Sequence, residues 1–401
     1  MITKTDIEAA RDRITRYIHR TPLIFSRSFS EMSKAEVYVK AENLQKTGSF
    51  KARGAFNKLS LLERGKVIAA SRGNHAQAVA FAAATLGLHA KIVMPVSVPL
   101  VKEEATKGYG AEVELYGDTL QEAIEYARAQ AGYTFVHPYD DDEIIAGQGT
   151  LGAELIESMD RIDYVIVPVG GGGLISGIAL MVKETLSSAK VIGVQTESAT
   201  SAFASFKEGK VSSRTPLPTI ADGIAVGRVG ERPFEIITRY VDDIALVTEE
   251  PIAMSVVLFL ERMKFVVEGA GAVGLAALLE HRERFLGKRV VIVVSGGNID
   301  LTLIDRIIQK GLLTSGRMTV LEVVVDDVPG SLHALSGIIA SHRGNIVNVT
   351  HDRLEPDVSI GRTRIIFTME TRGTAHFAEM LSEMKAKGFK PTVKHSTEDK
   401  G

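Results

Sequence analysis

The 401-residue sequence contains no cysteine. That excludes disulfides, thiolate metal sites and a cysteine nucleophile, and it fits a reducing cytoplasm. An excess of charge of one sign is also missing: 47 Lys and Arg stand against 49 Asp and Glu, a formal net charge of -2. Such a balance creates no field that would draw the chain to nucleic acid or to an anionic membrane. Long apolar runs are absent. The stretch 290–294 is strand-length, whereas a bilayer span needs ~20 apolar residues. Residues 1–16 mix Asp6, Glu8, Arg11 and Asp12 with apolar positions; they lack the apolar core of a signal peptide and read as an amphipathic helix. No low-complexity tract occurs. What remains, 45% hydrophobic and 24% charged, is the composition of a soluble globular protein, and its length suits two or three domains.

Short β-branched runs alternate with helical patterns from about residue 35 to residue 309. Strand readings at 67–70, 92–94, 113–115 and 164–169 each precede a helical pattern, at 75–86, 100–107, 119–131 and 174–186. Further buried strands are expected at 191–194 and 290–294. This alternation predicts an α/β fold of open parallel sheets covered on both faces. Ligands in such sheets bind beyond the carboxyl ends of the strands. The pattern changes after a short polar linker at 312–318. Strands at 319–325, 346–350, 363–369 and 390–393, with helices at 332–340 and 375–384, spell βαββαβ, a ferredoxin-like unit. The boundaries expected are 1–314, with a smaller subdomain inserted at about 45–145, and 319–401. The polar tail at 396–401 is expected to fray.

Four segments carry chemistry. Lys51 sits between Thr47-Gly48-Ser49 and Gly54-Ala55. Gly48 and Gly54 permit close backbone approach, and a desolvated lysine becomes a nucleophile through a lowered pKa. Gly170, Gly171, Gly172 and Gly173 follow a strand and open a helix. Backbone N–H groups at such a turn, with the helix dipole behind them, suit a phosphate. Ser71-Arg72-Gly73-Asn74-His75 is another strand-to-helix link. Asn74 can both donate and accept, and Ser71 with the neighbouring amides could hold a carboxylate. Helix capping by Ser71 or Asn74 is the alternative. Ser295 ends a strand before Gly296-Gly297-Asn298; a hydroxyl there can face an unprotonated ring nitrogen, or Ser295 or Asn298 can cap a helix. His137 and the run Asp140 to Asp142 read as a strand-end residue and a helix start.

Together these segments resemble the tryptophan-synthase-β-like, fold type II enzymes that use pyridoxal phosphate, and among them the threonine dehydratases, over residues 5–312. The motifs are Glu42 through Lys51 to Ala55, Gly73-Asn74-His75-Ala76-Gln77, the four glycines, Thr219 through Gly223, and Val267 through Ala272. The resemblance implies that Lys51 attaches pyridoxal phosphate and moves the Cα proton. It places Phe50 against the ring and Asn74 on the ring hydroxyl. It puts Gly170 to Gly173 with Leu174 on the phosphate and Ser295 at the ring nitrogen. Ser71, Arg72, Gly73 and His75 are implied as the substrate side, and Glu268 either approaches the cofactor or caps a helix. The implied reaction is deamination of threonine, and of serine, by β-elimination of water.

Two departures bear on this. Related serine racemases carry a second serine where this chain has Arg72, a poor proton acceptor, so racemisation is disfavoured. An added cation there also suits a dianionic substrate such as a hydroxyaspartate. The racemases' divalent-metal carboxylates fall at Gln195, Thr200 and Ser201, so no divalent metal is expected.

The last unit resembles an ACT domain on Asp326 through Leu332 and on Gly344-Asn345-Ile346. That implies an amino-acid effector, isoleucine or valine, near Gly330, Leu332, Asn345 and Ile346, and a homodimer or homotetramer. A serine-preferring dehydratase and a non-catalytic amino-acid sensor are the competing readings.

Overall fold

The computed structural model describes residues 2–354 and 356–394; the polar tail lies outside them. The strands run, in chain order, β1 Leu23–Phe25, β2 Glu36–Ala41, β3 Lys66–Ala70, β4 His89–Met94, β5 Glu112–Leu115, β6 Thr134–Phe135, β7 Tyr164–Pro168, β8 Lys190–Thr196, β9 Asp243–Val247, β10 Arg289–Val294, β11 Met318–Asp326, β12 Asn345–Asp352, β13 Arg362–Glu370 and β14 Pro391–Val393. They divide between two compact units, Met1–Ile299 and Asp300–Gly401.

The first unit holds two sheets. The larger has the order β1-β2-β10-β7-β8-β9, parallel throughout except for the antiparallel pair β1–β2. The smaller, β5-β4-β3-β6, is fully parallel and lies in sequence between β2 and β7. Central strands read as continuous apolar runs because helices cover both faces: all of β7 is buried, as is β10 after its first residue. Strand β10 sits between β2 and β7, so residues near 40 and near 290 become neighbours.

The amino-terminal helix Lys4–Ile14 buries Ile7, Ala10 and Ile14 and starts with a Thr3–Asp6 capping box, as its amphipathic pattern predicts. Asp141 caps helix Asp142–Ser158 through the amides of Glu143 and Ile144.

In the second unit, helix Leu301–Thr314 precedes the βαββαβ run. The helix continues into the stretch read as a linker, since Leu312 and Leu313 favour helix. Only 315–317 connects to β11, with Gly316 at φ +64°. The sheet order is β12-β13-β11-β14, all antiparallel. Alternate residues Leu321, Val323, Val325, Ile365, Phe367 and Met369 face helices Ser331–Ser341 and Thr374–Ala386, which contribute Leu335, Ile338, Ile339, Met380 and Met384.

Candidate active site

The main cavity opens beyond the carboxyl ends of β3, β7 and β10. Phe50, Lys51, Ser71, Arg72, Gly73, Asn74, His75, Gly170 to Gly173, Leu174 and Ser295 all line it. Segments more than 200 residues apart thus share one wall, because β10 runs beside β2 and β7.

Lys51 opens helix Lys51–Leu59, with Phe50 as its N-cap. Its Nζ donates to the Pro138 carbonyl at 2.8 Å and lies 5.1 Å from the centre of the Phe50 ring. Burial pushes its pKa down to about 8, against the pull of the Glu268 carboxylate. The loop before it is zipped to the Ser295 segment. Phe50 N donates to Ser295 O at 3.0 Å and Gly297 N to Gly48 O at 2.9 Å, and Ser49 bridges Gly296. Gly48, at φ +71°, makes the expected close approach: a Cβ there would strike Asn298 Oδ1. Gly54 does not serve the cavity. A Cβ on it would lie 2.5 Å from Gln148 Nε2, so its smallness lets two helices pack.

The glycine turn places Gly172 at φ +96° as N-cap of helix Gly173–Thr185. A Cβ on Gly172 would stand 2.7 Å from Pro233 Cβ, and Cβ atoms on Gly171 and Gly173 would meet Tyr139. Side chains are therefore excluded. The first amides of the helix have no acceptor within it, and Gly172, Gly173 and Leu174 line the cavity.

Neither Ser71 nor Asn74 caps helix Asn74–Leu86, whose N-cap is Gly73. Ser71 Oγ accepts from Gly73 N at 3.2 Å. Asn74 Nδ2 donates to Glu268 Oε1 at 2.8 Å and Oε2 at 3.1 Å. His75 is buried, its Nε2 bonded to Val136 O at 2.9 Å. Burial, then the charge of Lys51, pushes its pKa down to about 3, so it lines the wall as a neutral ring already committed to the backbone. Arg72 is exposed at the mouth. Ser295 is 3% exposed and lines the cavity. It caps nothing: Asp300 caps the next helix.

Glu268 lines the cavity from the N-cap position of helix Gly269–Glu280, where its side chain makes no capping hydrogen bond. Its pKa is pushed up to about 8, first by burial and then by Asp222, against Asn74, Lys102 and Lys51. A carboxyl whose folded pKa is raised costs stability as pH climbs from its ordinary value through the folded one. In the cofactor-free protein, Glu268→Gln is therefore expected to exceed the parent in stability above about pH 8, by a few kcal/mol. The two should converge below pH ~4.5. Urea unfolding across pH reads this; parallel curves would refute it.

Several wall residues escaped the sequence. Tyr139 backs the glycine turn, held by His137 Nδ1, which accepts from Tyr139 N at 3.2 Å and Asp140 N at 2.7 Å. Lys102 and Asp222 pair at 2.9 Å across the mouth, tying helix Leu100–Gly108 beside the smaller sheet to a turn beside the larger. Only the glycine run, which signals that something bulky approaches, hinted at Tyr139.

A profile for the family described as pyridoxal-phosphate dependent enzyme matches residues 14–296, and an ACT-domain profile matches 319–389. The chain belongs to the pyridoxal-phosphate-dependent enzymes. It is 47% identical to an L-threonine ammonia-lyase of Thermotoga maritima over 98% of this chain and 100% of that one. It is 44% identical to a catabolic L-threonine dehydratase of Escherichia coli over 75% of this chain and 94% of that one. Among solved structures, a threonine deaminase from T.th. superposes with TM-score 0.72 at 42% identity, covering 75% of this chain and 99% of that one. A serine racemase of Dictyostelium discoideum gives 0.69 at 38%, covering 75% and 99%. The walls of this pyridoxal-phosphate enzyme fit the cofactor. The Lys51 amine, the Ser295 hydroxyl and a side-chain-free amide turn converge on one cavity.

In the ACT domain, Gly330 caps helix Ser331–Ser341 at φ +98° with open space where a Cβ would stand. Leu332 and Ile346 pack half-buried against the core. Asn345 Nδ2 donates to Glu370 at 2.9 Å.

Proposed function

We propose that this chain deaminates L-threonine, and L-serine less selectively, by eliminating water and releasing ammonia and a 2-oxo acid. The convergence of Lys51, the glycine turn and Ser295 carries the reading, and full-length identity to an L-threonine ammonia-lyase supports it. When bound, pyridoxal phosphate supplies an aldehyde for the substrate amine and a conjugated ring that takes up the electron pair left at Cα. Lys51 attaches the cofactor and, once displaced, accepts the Cα proton. Its lowered pKa leaves a useful fraction of free amine near neutrality. Gly170 to Gly173 and Leu174 hold the phosphate by amides, Asn74 donates to the ring hydroxyl, and Phe50 flanks the ring. Ser71 and the amides 72–74 hold the substrate carboxylate. Ser295 offers a hydroxyl where a carboxylate would keep the ring nitrogen protonated.

The test is steady-state turnover of threonine, serine and 3-hydroxyaspartate by the reconstituted enzyme. Threonine is expected to give 2-oxobutanoate and ammonia with the highest kcat/KM; preference for 3-hydroxyaspartate would instead assign Arg72 to a second carboxylate. A chain that binds pyridoxal phosphate yet turns over none of them would be a sensor.

The ACT domain is proposed to take isoleucine or valine beside Gly330, in a homodimer or homotetramer. Edge strand β12 exposes Val347 and Val349, a surface suited to pairing with a second copy. Calorimetric titration is expected to show saturable binding of isoleucine or valine; heats no larger than dilution for both would reject the effector assignment. Among the described residues no helix is long and apolar enough to cross a membrane.

A further inference from the structure

Asn298 lines the cavity, yet the proposed reaction gives it no task. Its Nδ2 donates to Thr47 O at 2.7 Å and to Asn74 Oδ1 at 2.8 Å, with Gln77 Oε1 further off at 3.3 Å. Three oxygens thus surround one NH2 group. Side-chain amides can turn over and exchange donor for acceptor; a backbone carbonyl cannot. Thr47 O is therefore the fixed reference. Turning Asn298 over would bring its Oδ1 against that carbonyl. The turn that presents Thr47 O is itself set, with Thr47 at φ +61° and Gly48 at φ +71°, and Gly297 N is tied to Gly48 O.

The direction then passes along the chain of amides. Because Asn298 donates, Asn74 Oδ1 must accept. Asn74 Nδ2 is left facing the other way, toward Glu268 and the cavity. Glu268 enforces this orientation only when ionised; in its acid form a carboxyl can both donate and accept, and the contact to Asn298 then sets the direction.

We infer that Asn298 is a positioning residue that locks the Asn74 amide with its NH2 toward the cavity, keeping one N–H for an oxygen of the bound ring. The inference rests on the pyridoxal-phosphate reading above. It gives the Gly296-Gly297-Asn298 segment a role besides chain reversal: it transmits the direction of a backbone carbonyl in the lysine loop to a side chain on another loop.

The test substitutes Asn298→Asp, which replaces the donor by an oxygen facing Thr47 O and Asn74 Oδ1. Relief of that repulsion turns Asn74 over and presents its oxygen to the cavity. Titration of the cofactor-free full chain with pyridoxal phosphate is expected to show a dissociation constant about 10- to 100-fold higher, the loss of one hydrogen bond to a charged oxygen. The pH midpoint of the bound cofactor's visible band is expected to move upward, because an oxygen without its donor holds a proton more tightly. Asn298→Ala, which removes the donor without adding charge, should shift both readouts the same way by less, and it decides the matter if the Asp variant does not fold. Variants with a lowered melting temperature but an unchanged dissociation constant and band titration would reduce Asn298 to a structural residue and overturn the inference. A parent chain that takes up no pyridoxal phosphate would overturn the cofactor reading and this inference together.

Discussion

Lys51→Ala is expected to lower threonine turnover by at least ~10⁴-fold, since it removes both the covalent attachment and the proton acceptor at Cα. The visible band that attachment to Lys51 produces should be lost with it, while the fold survives. Among the described residues the Lys51 side chain makes one hydrogen bond, to Pro138 O, and its amine is desolvated by burial. Alanine therefore leaves one carbonyl unsatisfied but removes the cost of burying an ammonium, so the melting temperature should change by only a few degrees. Phosphate and ring contacts persist, and the variant should still bind pyridoxal phosphate weakly. Near-parental turnover by Lys51→Ala would remove the lysine from the chemistry. Loss of activity with collapse of the melting transition would show a structural role instead.

Glu42→Ala should produce the largest loss of stability, about 3–5 kcal/mol, a large share of the ~5–15 kcal/mol that holds a typical domain folded. Arg53 and Glu42 are fully buried, and Lys40 and Glu154 nearly so. Arg53 grips Glu42 with Nε at 2.8 Å and Nη2 at 2.7 Å, and reaches Glu154 with Nη1 at 2.7 Å. Lys40 donates to Glu154 at 2.5 Å and to Thr21 O at 2.7 Å, and Thr21 donates to Glu42. Burial pushes the Glu42 carboxyl up, and Arg53, helped by Lys40 and Thr21, more than reverses it, so Glu42 stays ionised. The four formal charges cancel. Removing Glu42 strands one positive charge in a dry interior. Asp12→Ala is the control, because the Arg11–Asp12 pair is solvent-exposed and should cost less than ~1 kcal/mol. Urea midpoints for the two variants decide it, and comparable losses would show that water reaches the cluster.

The lysine, the glycine turn and Ser295 were legible in the sequence because each signal is local: a residue type set between a strand and a helix. The same holds for the alternating units and for the βαββαβ run, whose periods of two and 3.6 are written into short windows. Residues whose meaning depends on distant pairing were not legible. Asn298 looked like a cap because the alternative required Thr47 and Asn74 beside it. Asn74, seen alone, could equally have capped its helix; one residue further into the first turn, its amide reaches Glu268 instead. Gly54 read as a cavity residue because nothing in its neighbourhood names Gln148. The buried charge cluster joins residues 40, 42, 53 and 154, which no window contains.

The insertion of β10 between β2 and β7 also sets a clock during synthesis. Lys51 leaves the ribosome long before Ser295, and at ~5–20 residues per second the interval is roughly 10–50 s. Until then the larger sheet exists only as separate pieces with open inner edges, and no wall faces the lysine loop. A nascent chain is thus expected to be unable to capture its cofactor until the last strand of the sheet emerges, which makes cofactor uptake a late event of maturation.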